Sequence, residues 1–152
     1  MRYPICALLM VLTIGVPATA YAGSDDVIVE NAWARAAIGT SRPGAAYMDI
    51  SNTGDEPVTL TGIETDLAMM PMIHRSATDA KGVSSMSAVG DIVIAPGETV
   101  MLEPGGYHAM LMKLRQPMKE GESFPLILLF SDDGIVVVEI PILGIAARGP
   151  EG

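Results

Sequence analysis

From Val27 onward the sequence is interrupted every few residues. Runs of four to eight apolar or alternating residues end at Gly, Pro, Asn or Asp, and none keeps a 3.6-residue period over ten positions. This rhythm excludes a helical bundle and predicts strands at 27–30, 32–36, 44–51, 57–64, 69–75, 84–89, 91–94, 99–103, 107–113, 123–130 and 135–142. The breaks carry turn chemistry, as in Asn52-Thr53-Gly54-Asp55, Ala95-Pro96-Gly97-Glu98 and Pro104-Gly105-Gly106. Asp132-Asp133-Gly134 joins two strongly apolar runs and predicts a hairpin. Many short strands at this spacing specify an all-β domain, a β-sandwich or small Greek-key barrel. Trp33, Tyr47, Phe124 and Phe130 are assigned to its core. The tail Ala146–Gly152 is small and polar and is expected to fray.

The 152 residues are enough for one domain. The first part reads as an export signal over 1–22. Arg2 gives a positive start, residues 5–16 form an apolar run too short to span a bilayer, and Ala20-Tyr21-Ala22 fits the cleavage rule. The remainder, 23–152, is expected to be a single domain ordered over about 27–145. Cys6 is the single cysteine, and it sits inside the apolar run, too early for a lipid-bearing cysteine. Cleavage therefore leaves no disulfide and no thiolate ligand. No later run is long and apolar enough to anchor the mature chain in a membrane. The net charge of −9, deepened by one when Arg2 is lost, argues against nucleic acid or an anionic membrane as a partner. Export in a bacterium places the protein in the periplasm, an oxidising space that thioethers tolerate better than thiols.

Against this background the 11 methionines and two histidines stand out. His74 closes the run Met69-Met70-Pro71-Met72-Ile73-His74, and His108 opens His108-Ala109-Met110-Leu111-Met112. Residues two apart on a strand share a face, so His108 and Met110 can aim at one point, as can Met72 and His74. Met112 shares that face about 6.6–6.8 Å further along. Residues 87–107, between Met86 and His108, are centred on Gly97 in a turn. Residues 75–85, between His74 and Met86, are centred near Ala80-Lys81-Gly82, a second turn. Two such excursions bring His74, Met86, His108 and Met110 to one end of the fold. Two imidazoles and two thioethers suit Cu(I). Zinc favours Cys, His and carboxylate, Ca²⁺ and Mg²⁺ want oxygen, and a blue-copper centre needs a cysteine. Methionine is also a good core filler, so on the residues alone core packing and metal binding both stay open.

The same residues give a resemblance to the periplasmic PCu(A)C copper chaperones, the DUF461 group. That motif is His, an optional Met, ten residues, Met, twenty-one residues, then His-x-Met. Here it reads His74, Arg75, residues 76–85, Met86, residues 87–107, then His108-Ala109-Met110. Asn31-Ala32-Trp33-Ala34-Arg35, Ala45-Ala46-Tyr47-Met48 and Pro104-Gly105-Gly106-Tyr107 are similar to the family as well. The resemblance implies a cupredoxin-like barrel with one exposed Cu(I) per chain, held by His74, Met86, His108 and Met110. It implies delivery to a copper-accepting subunit of respiratory cytochrome oxidase, often its binuclear centre. Other periplasmic copper carriers or thiol reductants are expected as further candidates for partners. The chain departs from the pattern at Arg75, which replaces the optional Met and is expected to set a cation beside the metal. It also lacks His or Met after Met118, so the Cu(II) site of some members' C-terminal extensions is expected to be absent.

A sequestering protein for copper tolerance, without a dedicated acceptor, would need the same four ligands. An enzyme is disfavoured: the sequence offers no third histidine, no nucleophile context and no G-x-x-x-x-G-K-S/T loop. A structural β-sandwich that merely contains methionines leaves unexplained why both histidines fall in the motif.

Overall fold

The computed structural model describes residues 24–151. The proposed signal segment 1–22 and Cys6 lie outside the described residues. Ten strands follow a short 3-10 turn at Ser24–Asp26: β1 (Val27–Arg35), β2 (Gly44–Asn52), β3 (Val58–Glu64), β4 (Ala68–Thr78), β5 (Ser84–Ala88), β6 (Ile92–Ile94), β7 (Thr99–Leu102), β8 (Tyr107–Leu114), β9 (Ser123–Phe130) and β10 (Ile135–Leu143). The predicted segments 27–30 and 32–36 are one strand. Asn31 adopts a left-handed φ of 52°, and the β1–β2 register shifts between Glu30 and Trp33. The apparent break is thus a bulge within a continuous strand.

The hydrogen-bonded order is β5-β4-β8-β7-β2-β1-β10-β9-β3-β6, with β8 also pairing β2. Most pairs are antiparallel, while β1 with β10 and β7 with β8 run parallel. Inward residues of β2, β4 and β8 share one apolar cluster with those of β3, β9 and β10. The run of strands is therefore folded over on itself, and its two halves face each other across a common core, a cupredoxin-like all-β architecture. Alternation does the sorting: Ala109 and Leu111 on β8, and Leu126 and Leu128 on β9, are buried, and their neighbours face outward.

Close approach fixes two core positions. A Cβ on Gly44 would run into the Met118 sulfur, so this glycine gives that thioether its room. Met118, only 1% exposed, is a core residue. Its place outside the motif does not make it dispensable, since truncating such a side chain to alanine costs about 2–5 kcal/mol. Asn52, also buried, is fully employed. Its amide nitrogen donates to the carbonyls of Glu56 (2.7 Å) and Ile94 (3.0 Å), and its oxygen accepts from the Gly54 N–H (3.0 Å). Asn52→Ala leaves those buried groups without partners, so stability is expected to fall by about 2–3 kcal/mol. Chemical unfolding of the metal-free protein would measure this, and an unchanged midpoint would refute it.

Trp33 and Tyr47 are buried, as expected, but outside the main core. They stack on each other with ring centroids 4.6 Å apart, and Ala147 covers them on the opposite face of the sheet. The Arg35 Nε–H donates to the Ala147 carbonyl at 2.6 Å. The tail that its composition marks for fraying is held there through Ala147.

Candidate metal centre

The centre is built on three neighbouring strands. β4 and β5 form a hairpin whose turn is organised by Asp79. The Asp79 carboxylate accepts the N–H groups of Lys81 (2.8 Å) and Val83 (2.9 Å), and Gly82 takes the left-handed φ of 79° that the reversal requires. The resulting register sets Met86 opposite Ser76, and Ala88 opposite His74. On its other side β4 pairs β8, with His74 opposite His108 and Met72 opposite Met110. All these residues lie on the outward face, because the intervening Ile73, Ala109 and Leu111 are in the core. The route from Met86 to His108 also reverses at the predicted turn, where Gly97 has a φ of 74° and the Glu98 carboxylate accepts the Ala95 N–H at 2.7 Å. This reversal is a crossover: β6 pairs β3 in one half and β7 pairs β2 in the other.

Register therefore gathers His74, Met86, His108 and Met110 on one face. The two imidazole centroids are 6.0 Å apart with ring planes at 54°. One ion about 2 Å from a nitrogen of each ring fits that separation. His108 is buried, and its Nδ1 lies 3.3 Å from the Gly106 carbonyl oxygen. A carbonyl only accepts, so this bond places the proton on Nδ1 and leaves the Nε2 lone pair free. His74 is more unusual: both ring nitrogens are buried and neither has a hydrogen-bond partner. Buried polar nitrogen without a partner is costly, and a ligand is one of the few things that justifies it. Met86 is 62% exposed on β5, a strand exposed along its whole length. Met110 is half-buried, with Met72 of β4 opposite it on one side and Ala45 of β2 on the other.

A groove of about 340 Å³ opens beside these residues, with Met86, His108 and Met110 on one wall and Arg35 and Tyr47 on the other. The Arg35 guanidinium sits 5.6 Å from the centroids of both Trp33 and Tyr47. Burial pushes the Tyr47 phenol above its ordinary pKa, with the Arg35 charge opposing the shift. Arg35 is thus the cation nearest the groove, and spacing gave no hint of it because β1 reaches this face only through β2. Arg75, expected beside the metal, is placed otherwise. It follows His74 in sequence, so strand alternation turns it to the opposite face, where it stacks on Tyr107 at 5.3 Å.

Among the described residues no three His, Cys, Asp or Glu side chains gather around one point. The donor set is thus poor in hard ligands and rich in thioether sulfur. The family model described as "Putative lipoprotein LpqE-like" matches residues 27–142, every strand but the last residue of β10. The chain belongs to the LpqE-like family. A curated relative of this family member, "Putative lipoprotein Lxx21020" of Leifsonia xyli subsp. xyli, is 32% identical over 144 residues, covering 91% of this chain and 86% of its own. Among solved structures, apo-DR1885 from Deinococcus radiodurans is 31% identical, covers 95% of this chain and 97% of its own, and superposes with a TM-score of 0.59. Its Cu(I) form is 33% identical over 76% of this chain and 78% of its own, with a TM-score of 0.58. The apo PCuAC domain of PmoF2 gives 0.65 at 21% identity, covering 82% and 94%, a likeness of fold. The resemblance to PCu(A)C domains read from the sequence therefore holds for family and fold.

Proposed function

We propose that this protein is an exported Cu(I) chaperone. It holds one Cu(I) tightly between His74, Met86, His108 and Met110 and delivers it to a copper-accepting subunit of respiratory oxidase. The observation that carries this reading is the His74 ring, whose two buried nitrogens lack any partner while it faces His108 across a strand pair. The thioethers of Met86 and Met110 on the same face select a soft ion. Relatives described as a copper-bound PCuAC domain and as Cu(I)-DR1885 support copper as the cargo. The lipoprotein descriptions of the family and of the Leifsonia relative support export, and the periplasm is the compartment we assign.

The four ligands would divide the work. The histidines and Met110 are embedded in paired strands and keep their geometry without metal. Met86 stands on the exposed edge strand, so an acceptor's ligands displace it first, and the remaining three release the ion stepwise. The site binds and transfers an ion and performs no chemistry on it. X-ray absorption of the Cu(I)-loaded protein is expected to report nitrogen and sulfur neighbours together, and only oxygen and nitrogen would rule the ligand set out. Mixing the loaded protein with an apo oxidase copper domain tests the role. Transfer supports delivery, and retention by this protein would make it a sequestering protein instead.

A further inference from the structure

The soft face extends beyond the proposed centre. Continuing along β4 and β8 past the pair of histidines, the next cross-strand pair is Met72 with Met110, and the next Met70 with Met112. Two strands thus carry successive outward rows of His–His, Met–Met and Met–Met. The inward positions of the same stretch tell why this is more than apolar filling: they are Ile73, Ala109 and Leu111, aliphatic side chains with no sulfur. From Met70 to His74 and from His108 to Met112 every methionine is on the outward side, where a hydrophobic role is least rewarded; Met69, one step further along β4, falls on the other face and takes no part in these rows. Met70 is 40% exposed, and Met72 and Met112 are half-buried. No strand pairs with β4 beyond Met72 on the outer side, because β5 stops at Ala88 opposite His74.

Directly opposed Cβ atoms are about 4.5–5.5 Å apart and diagonal ones about 7–8 Å, within reach of long side chains. Met70, Met72 and Met112 form such a pair plus one diagonal neighbour. Their flexible thioethers can converge on one point above the sheet, and three thioethers are a soft, uncharged donor set that favours Cu(I) over hard ions. The negative net charge of the chain raises the local concentration of any cation. The row of Met70 and Met112 lies about 13 Å along the strands from that of His74 and His108, four residues at the usual rise; Met72 and Met110 oppose each other on the row between, so the two groups adjoin there while centring on different rows. With three thioethers and no imidazole, this group binds more weakly than the centre beside it.

We propose that Met70, Met72 and Met112 form a second, weaker Cu(I) site adjoining the His74–Met86–His108–Met110 centre. The proposal rests on reading that centre as the tight Cu(I) site. The test is an anaerobic Cu(I) titration of protein labelled with ¹³C at the methionine methyls, without competing chelator. The first equivalent is expected to shift the Met86 and Met110 methyls, and the second those of Met70, Met72 and Met112. The variant carrying M70L, M72L and M112L keeps apolar volume at each position and is expected to retain the first equivalent and lose the second. A wild-type protein that takes one equivalent only, or a second that leaves the Met70 and Met112 methyls unmoved, overturns the second site and leaves the chaperone reading intact. Shifts of Met70, Met72 and Met112 without any shift of Met86 or Met110 would uphold the methionine site and overturn the four-ligand centre.

Discussion

Replacing His74 or His108 with alanine is expected to weaken Cu(I) binding by more than about 100-fold. Removing a residue that only orients a ligand typically costs 10–100-fold in metal affinity, and removing a ligand itself costs more. The loss is large here because each imidazole is one of only two nitrogens available: the sequence holds two histidines, and they face each other on adjacent strands. Met86→Ala separates ligand loss from unfolding. Met86 is exposed at the sheet's edge, so its truncation opens no cavity, yet copper affinity is expected to fall as it does for a lost ligand. Met101→Ala is the matched control, an outward methionine 51% exposed on β7 and outside the proposed ligand set. Met118→Ala, the control its sequence position suggests, would destabilise the core and blur the comparison. Competition against a Cu(I) chelator, with unfolding midpoints measured alongside, gives both quantities. A His74→Ala protein that kept its copper would show that the orphaned imidazole is a structural accident.

How far the sequence revealed this arrangement depends on how local the signal was. Strand positions were legible because the period-2 pattern and the turn residues are short-range. Ten strands appear within a residue or two of the predicted segments, with β4 three residues longer at its C-terminal end. That His74 and Met86 fall on one face of paired strands is legible for the same reason, since a hairpin of this length leaves little choice of register. The continuity of β1 is hidden because Asn31 takes a left-handed φ at a bulge, and an asparagine in that place reads equally well as a turn residue that ends a strand. The parallel β1–β10 pairing joins Ala34 to Ile142 and leaves no trace in the pattern of either strand. That long-range pairing brings the tail back over Trp33 and Tyr47, so their separation from the main core was illegible too. Arg75 was misplaced for a simpler reason. Adjacency in sequence is not adjacency in space here, because one step along a strand reverses the face.

Selectivity between the two oxidation states of copper is the second large effect. Against a chelator matched to each state, the protein is expected to retain one Cu(I) and to surrender Cu(II). Cu(II) prefers nitrogen and oxygen in a tetragonal array. The candidate centre offers two imidazoles, and among the described residues no three His, Cys, Asp or Glu side chains converge on a point, so a planar set cannot be completed from protein side chains. Residues 119–152 add neither His nor Met. Acidic side chains on this negatively charged chain can hold Cu(II) loosely at the surface, which is why the titration must be competitive. The same competition strips the weaker methionine site, so a single retained Cu(I) is the expected count. Retention of Cu(II) against a strong chelator would reveal a nitrogen or oxygen site elsewhere in the chain. A carrier that delivers one tightly held Cu(I) cannot fill a binuclear centre in one encounter. On the proposed delivery role, the tight site alone then needs two visits, unless a second donor or the weaker methionine site supplies the other ion. In the proposed ligand set, a rim thioether as exposed as Met86 favours such repeated, stepwise exchange, because each visit need displace only one thioether before the acceptor's own ligands take hold.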